Sequence, residues 1–115
     1  MDIEFNKNED IMKRSVGLLQ RRLADIYQGG GKRAIEKQRE RNKLTPRERI
    51  QYLIDKETEF LEIAALAGWE MYEDEGGCPA GGTVGGLGVI SGRLAVIIAN
   101  DQTVKAGAWF PITGK

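Results

Sequence analysis

Histidine is absent from the 115 residues, and cysteine occurs once, as Cys78. These two gaps exclude zinc sites built on imidazole or paired thiolates, and any Ser-His-Asp or Cys-His arrangement contained in this chain. A single thiol also excludes an intrachain disulfide framework and suits a reducing, cytoplasmic setting. Charge of one sign is missing too: seventeen Lys and Arg face seventeen Asp and Glu, so net charge points to no polyanionic partner. No loop has the alternating acidic spacing of a calcium site, and no metal is expected. No apolar run approaches the roughly 20 residues of a membrane span. The N-terminus is acidic and polar through Asp10, without the apolar core of a signal peptide. The expectation is a soluble cytoplasmic protein with no membrane partner.

Several elements can be read from periodicity. Ile11, Met12, Val16, Leu19, Leu23, Ile26 and Tyr27 recur at spacings of three and four, which predicts a helix from about Asn8 to Gln28 with one apolar packing face. Gly29-Gly30-Gly31 ends it. "KRAIEKQRERNK" is helix-compatible but offers only Ala34 and Ile35 to bury, so it is mostly solvated or held by a partner. Thr45-Pro46-Arg47-Glu48 has the spacing of a capping box with Pro at the first helical position, and Ile50, Leu53 and Ile54 form the buried face of the helix that follows.

Beyond Asp55 the pattern changes. "FLEI" reads as a short strand and "ALAGWEMYEDEGG" as an irregular connection. Eight of the seventeen residues from Gly76 to Gly92 are glycine, which argues against regular structure there. "GLGVI" and "RLAVIIAN" still predict a hairpin turning at Ser91-Gly92. The run Leu94 to Ala99 is apolar throughout and predicts a strand covered on both faces. One amphipathic helix, one short helix and one hairpin do not close a core around such a strand. The 115 residues are therefore expected to be the N-terminal part of a larger folding unit, or to have their core completed by another chain.

Local charge concentrates in Lys32 to Arg49, where eight cations stand against three glutamates. Such a stretch suits phosphate contacts, on a nucleic acid or a phosphorylated cofactor. It has no aromatic residue to stack on bases, its glutamates allow pairs such as Glu36 with Arg39, and a solvated or subunit-facing helix is the preferred reading, with no nucleic-acid partner. The glycine-rich stretch lacks the Gly-x-x-x-x-Gly-Lys-Ser/Thr of a phosphate loop, and close backbone approach explains it better. Cys78 has no neighbouring group to lower its pKa. Asn100 and Asp101 follow an apolar strand, a place where turns and functional loops both occur.

The order of these motifs resembles a known family. Gly29-Gly30-Gly31, "KLTPRERI" at 43–50, Leu53-Ile54-Asp55, Phe60-Leu61-Glu62, Pro79-Ala80-Gly81-Gly82, Gly86-Leu87-Gly88 with Ser91-Gly92, and Ala99-Asn100-Asp101 with Thr103-Val104-Lys105 resemble the carboxyltransferase (β) subunits of biotin-dependent acyl-CoA carboxylases. The likeness runs from about Leu18 onward. "ANDQTVKAGAWFPIT" is closer to the methylcrotonoyl-CoA type than to the propionyl-CoA type, which tends to have an aromatic in place of Lys105.

The resemblance implies an α/β, crotonase-like (ClpP/crotonase) fold in which leading helices precede the first β-hairpin of the sheet. It places a helical segment at 1–55 and the start of the N-terminal carboxyltransferase domain at 56–115. It implies carboxyl transfer from carboxybiotin, carried on a separate carrier domain, to an acyl-CoA. The implied partners are a biotin carboxylase/biotin carrier subunit and further copies of the carboxyltransferase subunit. Backbone amides stabilise the enolate and the ureido oxygen in such enzymes, on loops expected beyond Lys115, so this chain is expected to hold no catalytic residue and to be inactive alone. By the same resemblance Val104, Lys105, Ala106 and Gly107 face CoA. The family usually has Gly at the position of Ala106, and "EGGCPAGG" departs from the family's shorter acidic turn, with no role assigned. The alternatives are a small basic-helix module binding phosphate-rich partners, and a subunit of a biotin-dependent acyl-CoA decarboxylase.

Overall fold

The computed structural model describes residues 2–115. Three helices come first: α1 (Ile3–Ile26), α2 (Lys32–Glu40) and α3 (Pro46–Leu53). A three-stranded antiparallel sheet follows, in the order β1 (Leu61–Ile63), β2 (Thr83–Ile90), β3 (Arg93–Asn100).

Helix α1 starts earlier than its apolar stripe suggests because Asp2 is its N-cap, the carboxylate accepting the Glu4 amide at 3.1 Å. Its packing face is mostly uncovered. Ile26 is buried and Leu23 half-buried, but Ile11, Met12, Val16, Leu19 and Tyr27 are exposed. At about 1.5 Å per residue, 24 residues extend ~36 Å, and it is the C-terminal part that meets the rest of the chain, with Arg22 over the Trp69 ring and Tyr27 under Arg47.

Helix α2 is largely solvated, as its composition predicts, with Ala34 and Ile35 half-buried. Arg39 does not pair with Glu36; its guanidinium meets Glu48 Oε1 of α3 at 3.0 Å instead.

The capping box of α3 forms. The Glu48 amide donates to Thr45 Oγ1 at 3.4 Å, and the Thr45 amide donates to Glu48 Oε2 at 2.9 Å. Of its expected buried face, Ile50 and Ile54 are in the core but Leu53 is 51% exposed. The helix stops at Leu53, and Ile54, already in extended backbone, takes the buried place.

Strand β2 begins at Thr83, so regular structure extends into the glycine-rich stretch. Glycine is required there by proximity. A Cβ on Gly86 would overlap the Leu61 carbonyl and lie 2.7 Å from the Phe60 ring, and one on Gly88 would lie 2.9 Å from both Ile54 Cγ2 and Ile97 Cδ1. Side chains at 86 and 88 would thus exclude Phe60 and α3 from the sheet. The resulting core joins Ile50, Ile54, Val84 and Ile97, with Phe60, Ile90 and Ala99 around it.

The β2–β3 hairpin turns at Ser91-Gly92, both at positive φ (50° and 75°), as primed hairpin turns demand. Asp55 holds the turn from outside: its two carboxylate oxygens accept the Ser91 and Gly92 amides, each at 2.7 Å.

Alternation then decides the fate of β3. Ile97 faces α3, while Leu94, Val96 and Ile98 project to the opposite face and are 72%, 73% and 73% exposed. The register aligns Val96 with Leu87 and Leu87 with Leu61, so this face is apolar across all three strands. The expected cover on both faces is present on one only, where α3 packs; among the described residues Leu94, Val96 and Ile98 on the other face stay exposed.

Candidate functional site

The segment after β3 is a built turn. The Asp101 amide donates to the Gly82 carbonyl at 3.0 Å. The Asp101 carboxylate accepts the Thr103 amide at 2.9 Å and the Thr103 hydroxyl at 2.6 Å, and the Val104 amide donates to the Asp101 carbonyl at 3.1 Å. Asp101 is 4% exposed. Its buried carboxylate is satisfied by the two Thr103 donors, and the turn it organises is closed by the Val104 amide.

Gly29 and Gly30 do more than end α1. The Gly30 amide donates to Thr103 Oγ1 at 2.9 Å, and a Cβ on Gly30 would overlap the Thr103 carbonyl. One on Gly29 would lie 2.7 Å from Thr103 Oγ1 and 2.8 Å from Asp101 Oδ2. The glycine loop therefore lies directly on the Asp101–Thr103 turn, a contact across 73 positions of sequence.

Four sequence-predicted residues follow. Val104 is 3% exposed and packs with Cys78 and Phe110, Tyr72 and Ile112 lying around them. Lys105, Ala106 and Gly107 make a tight turn of left-handed backbone at the surface. Lys105 Nζ pairs with Glu75 Oε2 at 2.7 Å and lies 4.3 Å from the centre of the Phe110 ring. Lys105 and Ala106 both have positive φ, 47° and 53°, and Gly107 follows at 85°. A non-glycine residue in this region is strained by about 1 kcal/mol or more.

"EGGCPAGG", without a role in the sequence, is the support of this turn. Glu75 holds Lys105, Cys78 lies under Val104, and Tyr72 stacks on Phe110 at 4.5 Å between centroids. The Thr113 hydroxyl ties the C-terminal turn to the same loop through the Gly81 carbonyl, at 2.7 Å. Burial pushes the Cys78 thiol pKa up, with the Lys105 charge opposing. A thiol held neutral in this way is a packing group, not a nucleophile.

The model of the carboxyl transferase domain family matches residues 37–115. The chain belongs to that family. It is 43% identical over 111 residues to the mitochondrial methylcrotonoyl-CoA carboxylase beta chain of Arabidopsis thaliana, covering 96% of this chain and 19% of that one. It is 45% identical over 106 residues to the biotin-dependent 3-methylcrotonyl-coenzyme A carboxylase beta1 subunit of Mycobacterium tuberculosis, covering 92% and 20%. Among solved structures it superposes with TM-score 0.75 and 35% identity on the transcarboxylase 12S core, whose crystal structure has methylmalonyl-coenzyme A and methylmalonic acid bound, over 84% of this chain and 19% of that one. The chain thus spans about a fifth of the length of the curated relatives it matches, and its α/β arrangement is that of the crotonase-like carboxyltransferases.

Within this carboxyl transferase segment, Gly85 and Gly86 of β2 pair with β1 on one side and β3 on the other. Those pairings use the backbone in the ladder and close off the phosphate-loop reading. The same pairings leave Gly85 and Gly86 no cradle of free amides for the ureido oxygen of biotin. Among the described residues no helix is long and apolar enough to cross a membrane.

Sequence reasoning overlooked Gln38. It sits in the most highly charged part of the chain, yet it is 9% exposed. The only available signal was its place four residues after Ala34 on the one half-buried face of α2.

Proposed function

We propose that this chain contributes the entry of a carboxyltransferase that moves a carboxyl group from carboxybiotin, delivered by a biotin carrier partner, to an acyl-CoA of the methylcrotonoyl type. The observation that carries this reading is the family match over residues 37–115. In this assignment residues 56–115 open the first crotonase-like domain, and residues 1–55 form a leading helical segment. The protein acts in the cytoplasm, in keeping with its single unpaired thiol, and assembles with further copies of itself.

The chain's own part is to present the 104–107 turn to CoA. Val104 serves as the buried anchor. Ala106 and Gly107, lacking long side chains, let a ligand approach the backbone closely. Lys105, positioned by Glu75 and Phe110, places a cation beside the ligand's phosphates. None of these groups is a proton donor or nucleophile in the transfer, so their effect belongs to binding.

The test is steady-state carboxylation by the assembled enzyme with its biotin partner. Lys105→Ala is expected to raise KM for the acyl-CoA about fivefold, the equivalent of one ~1 kcal/mol contact, with kcat little changed. A protein that forms no carboxylated acyl-CoA, or that only releases CO2 from a carboxylated thioester, would overturn the assignment, the latter outcome pointing to a decarboxylase.

A further inference from the structure

Over most of its length α1 presents an apolar stripe that no other described residue covers. Phe5, Met12, Val16 and Leu19 are all exposed. A groove of about 440 Å³ runs along this face, with Phe5 near one end and Gly17 near the other. Gly17 has nothing within 4 Å of the place a Cβ would take, so the groove wall has a notch there.

The charges of α1 are sorted along the helix. From Asp2 to Asp10 four acids stand against one lysine, and from Lys13 to Arg22 there are four cations and no acid. The dipole of a lone helix acts on charges in its first and last turns. It gives no reason for an acidic half and a basic half that meet at Met12, in mid-helix. Two copies laid antiparallel do give one, because each acidic half then faces a basic half.

The order of residues in the groove is also reversible. Phe5, Glu9, Lys13 and Gly17 follow one another at intervals of four, which sets them in one row on the helix surface. A second copy turned end for end, about a two-fold axis level with Ile11, brings Phe5 against Gly17 of the partner subunit and Glu9 against Lys13 of the partner subunit. A large ring meets the residue without a side chain, and a carboxylate meets an ammonium group. Glu9 and Lys13 already pair within one helix at 3.0 Å, so the two copies together form a ring of four alternating charges. A different partner would need this pattern in reverse, whereas a second copy carries it by symmetry, and such a contact closes on itself.

We propose that the apolar face of α1 is a homotypic interface, on which the same helix of a second copy packs antiparallel in the register that pairs Phe5 with Gly17 and Glu9 with Lys13. Burial of the stripe drives the contact and the charges fix its direction. The inference rests on the self-association stated above for the presence of a second copy, and is independent of the carboxyl transfer.

The experiment is oxidative cross-linking of the protein in its native assembly, read on a non-reducing gel. Phe5→Cys and Gly17→Cys chains are oxidised separately and after co-expression. None of the four positions belongs to a core cluster, so the variants keep the fold. The co-expressed chains are expected to form a cross-linked dimer, and each single variant at least tenfold less. In the antiparallel register two copies of position 5 lie about 18 Å apart along the helix, beyond the roughly 7 Å reach of a disulfide. Wild type, whose one thiol is buried, is the blank. Adding Lys13→Glu to the co-expressed pair is expected to lower the yield about fivefold, and Glu9→Lys/Lys13→Glu to restore it. Equal cross-linking in the single variants, the mark of a parallel or random contact, overturns the proposal. So does the absence of a cross-link from the co-expressed pair, which would mean that something other than a second α1 covers the stripe. An unchanged yield with Lys13→Glu overturns it too. If the cross-link forms as expected but no acyl-CoA is carboxylated, the helix pair stands and the carboxyltransferase reading falls. If acyl-CoA is carboxylated and no cross-link forms, the helix pair falls and that reading stands.

Discussion

Two glycines in the first thirty residues should respond to the same substitution with opposite signs. Gly17 lies inside α1 with nothing within 4 Å of the position a Cβ would take. Gly17→Ala therefore gains helix propensity without contact, worth about 1 kcal/mol of stabilisation. At Gly30 the same methyl would overlap the Thr103 carbonyl and lie 3.2 Å from Thr103 Cβ. Real Cβ contacts are essentially never closer than 3.0 Å, and a backbone carbonyl cannot swing aside as a side chain can. The glycine loop must withdraw from the turn, which breaks the 2.9 Å bond from the Gly30 amide to Thr103 Oγ1. The bond contributes about 1 kcal/mol, and the forced displacement of packed backbone adds roughly 1–3 kcal/mol. Gly30→Ala should thus destabilise by about 3 kcal/mol, near a hundredfold in the folded-to-unfolded ratio. Denaturant unfolding measures both variants, and hydrogen exchange localises the effect: in Gly30→Ala the Thr103 and Val104 amides should lose protection. If Gly30→Ala is as stable as wild type with those amides still protected, the loop does not hold the turn and the reasoning fails.

Two further perturbations test other parts of the chain. The backbone amide of Thr45, and then Arg39, hold the Glu48 carboxyl below its usual pKa. A depressed carboxyl pKa gives stability that is complete above the unfolded value and is lost as pH falls through the folded one. The α3 cap should therefore weaken below about pH 4.5, and Glu48→Gln should flatten that limb of an acid titration followed by unfolding free energy; an unchanged acid limb in the variant would refute the assignment. Asp55→Ala removes the acceptor for two amides at 2.7 Å and should cost about 2 kcal/mol, with faster hydrogen exchange at Ser91 and Gly92; Asp55→Asn should fall between, and full protection in the alanine variant would show that the turn stands by itself.

What could be read in the sequence was local. Thr45-Pro46-Arg47-Glu48 sets its cap within four residues, and Ser91-Gly92 sets its hairpin within two, so spacing alone locates both. The relations that build the candidate site join distant positions. Gly30 reads as a helix terminator because the Thr103 carbonyl lies 73 residues away and leaves no periodic trace. "EGGCPAGG" reads as a loose loop because Cys78 meets Val104 and Phe110 only in the folded chain. Gln38 reads as solvated because its neighbours are charged, whereas in the folded chain it lies at the floor of a cleft with Thr45, Pro46 and Asn100. The apolar stripe of α1 and the outer face of β3 were legible as amphipathic patterns, but a pattern fixes which residues share a face and not whether anything covers it.

The site's backbone gives a physical reason for this long-range construction. Lys105 and Ala106 both occupy the left-handed region, at a cost of roughly 1–2 kcal/mol each. A free chain would leave that conformation. It persists because its neighbours fix it from three sides: Val104 is buried against Cys78 and Phe110, Lys105 is held by Glu75, and Thr103 is clasped by Asp101 and Gly30. Burial of the Val104 side chain alone contributes about 1.5–3 kcal/mol, enough to offset the strain of one of these residues and most of a second. A turn strained and over-determined in this way does not need to be ordered by its ligand. Glycine at position 106 would relieve strain but would also loosen the turn, so alanine here makes the surface beside Lys105 a more rigid one.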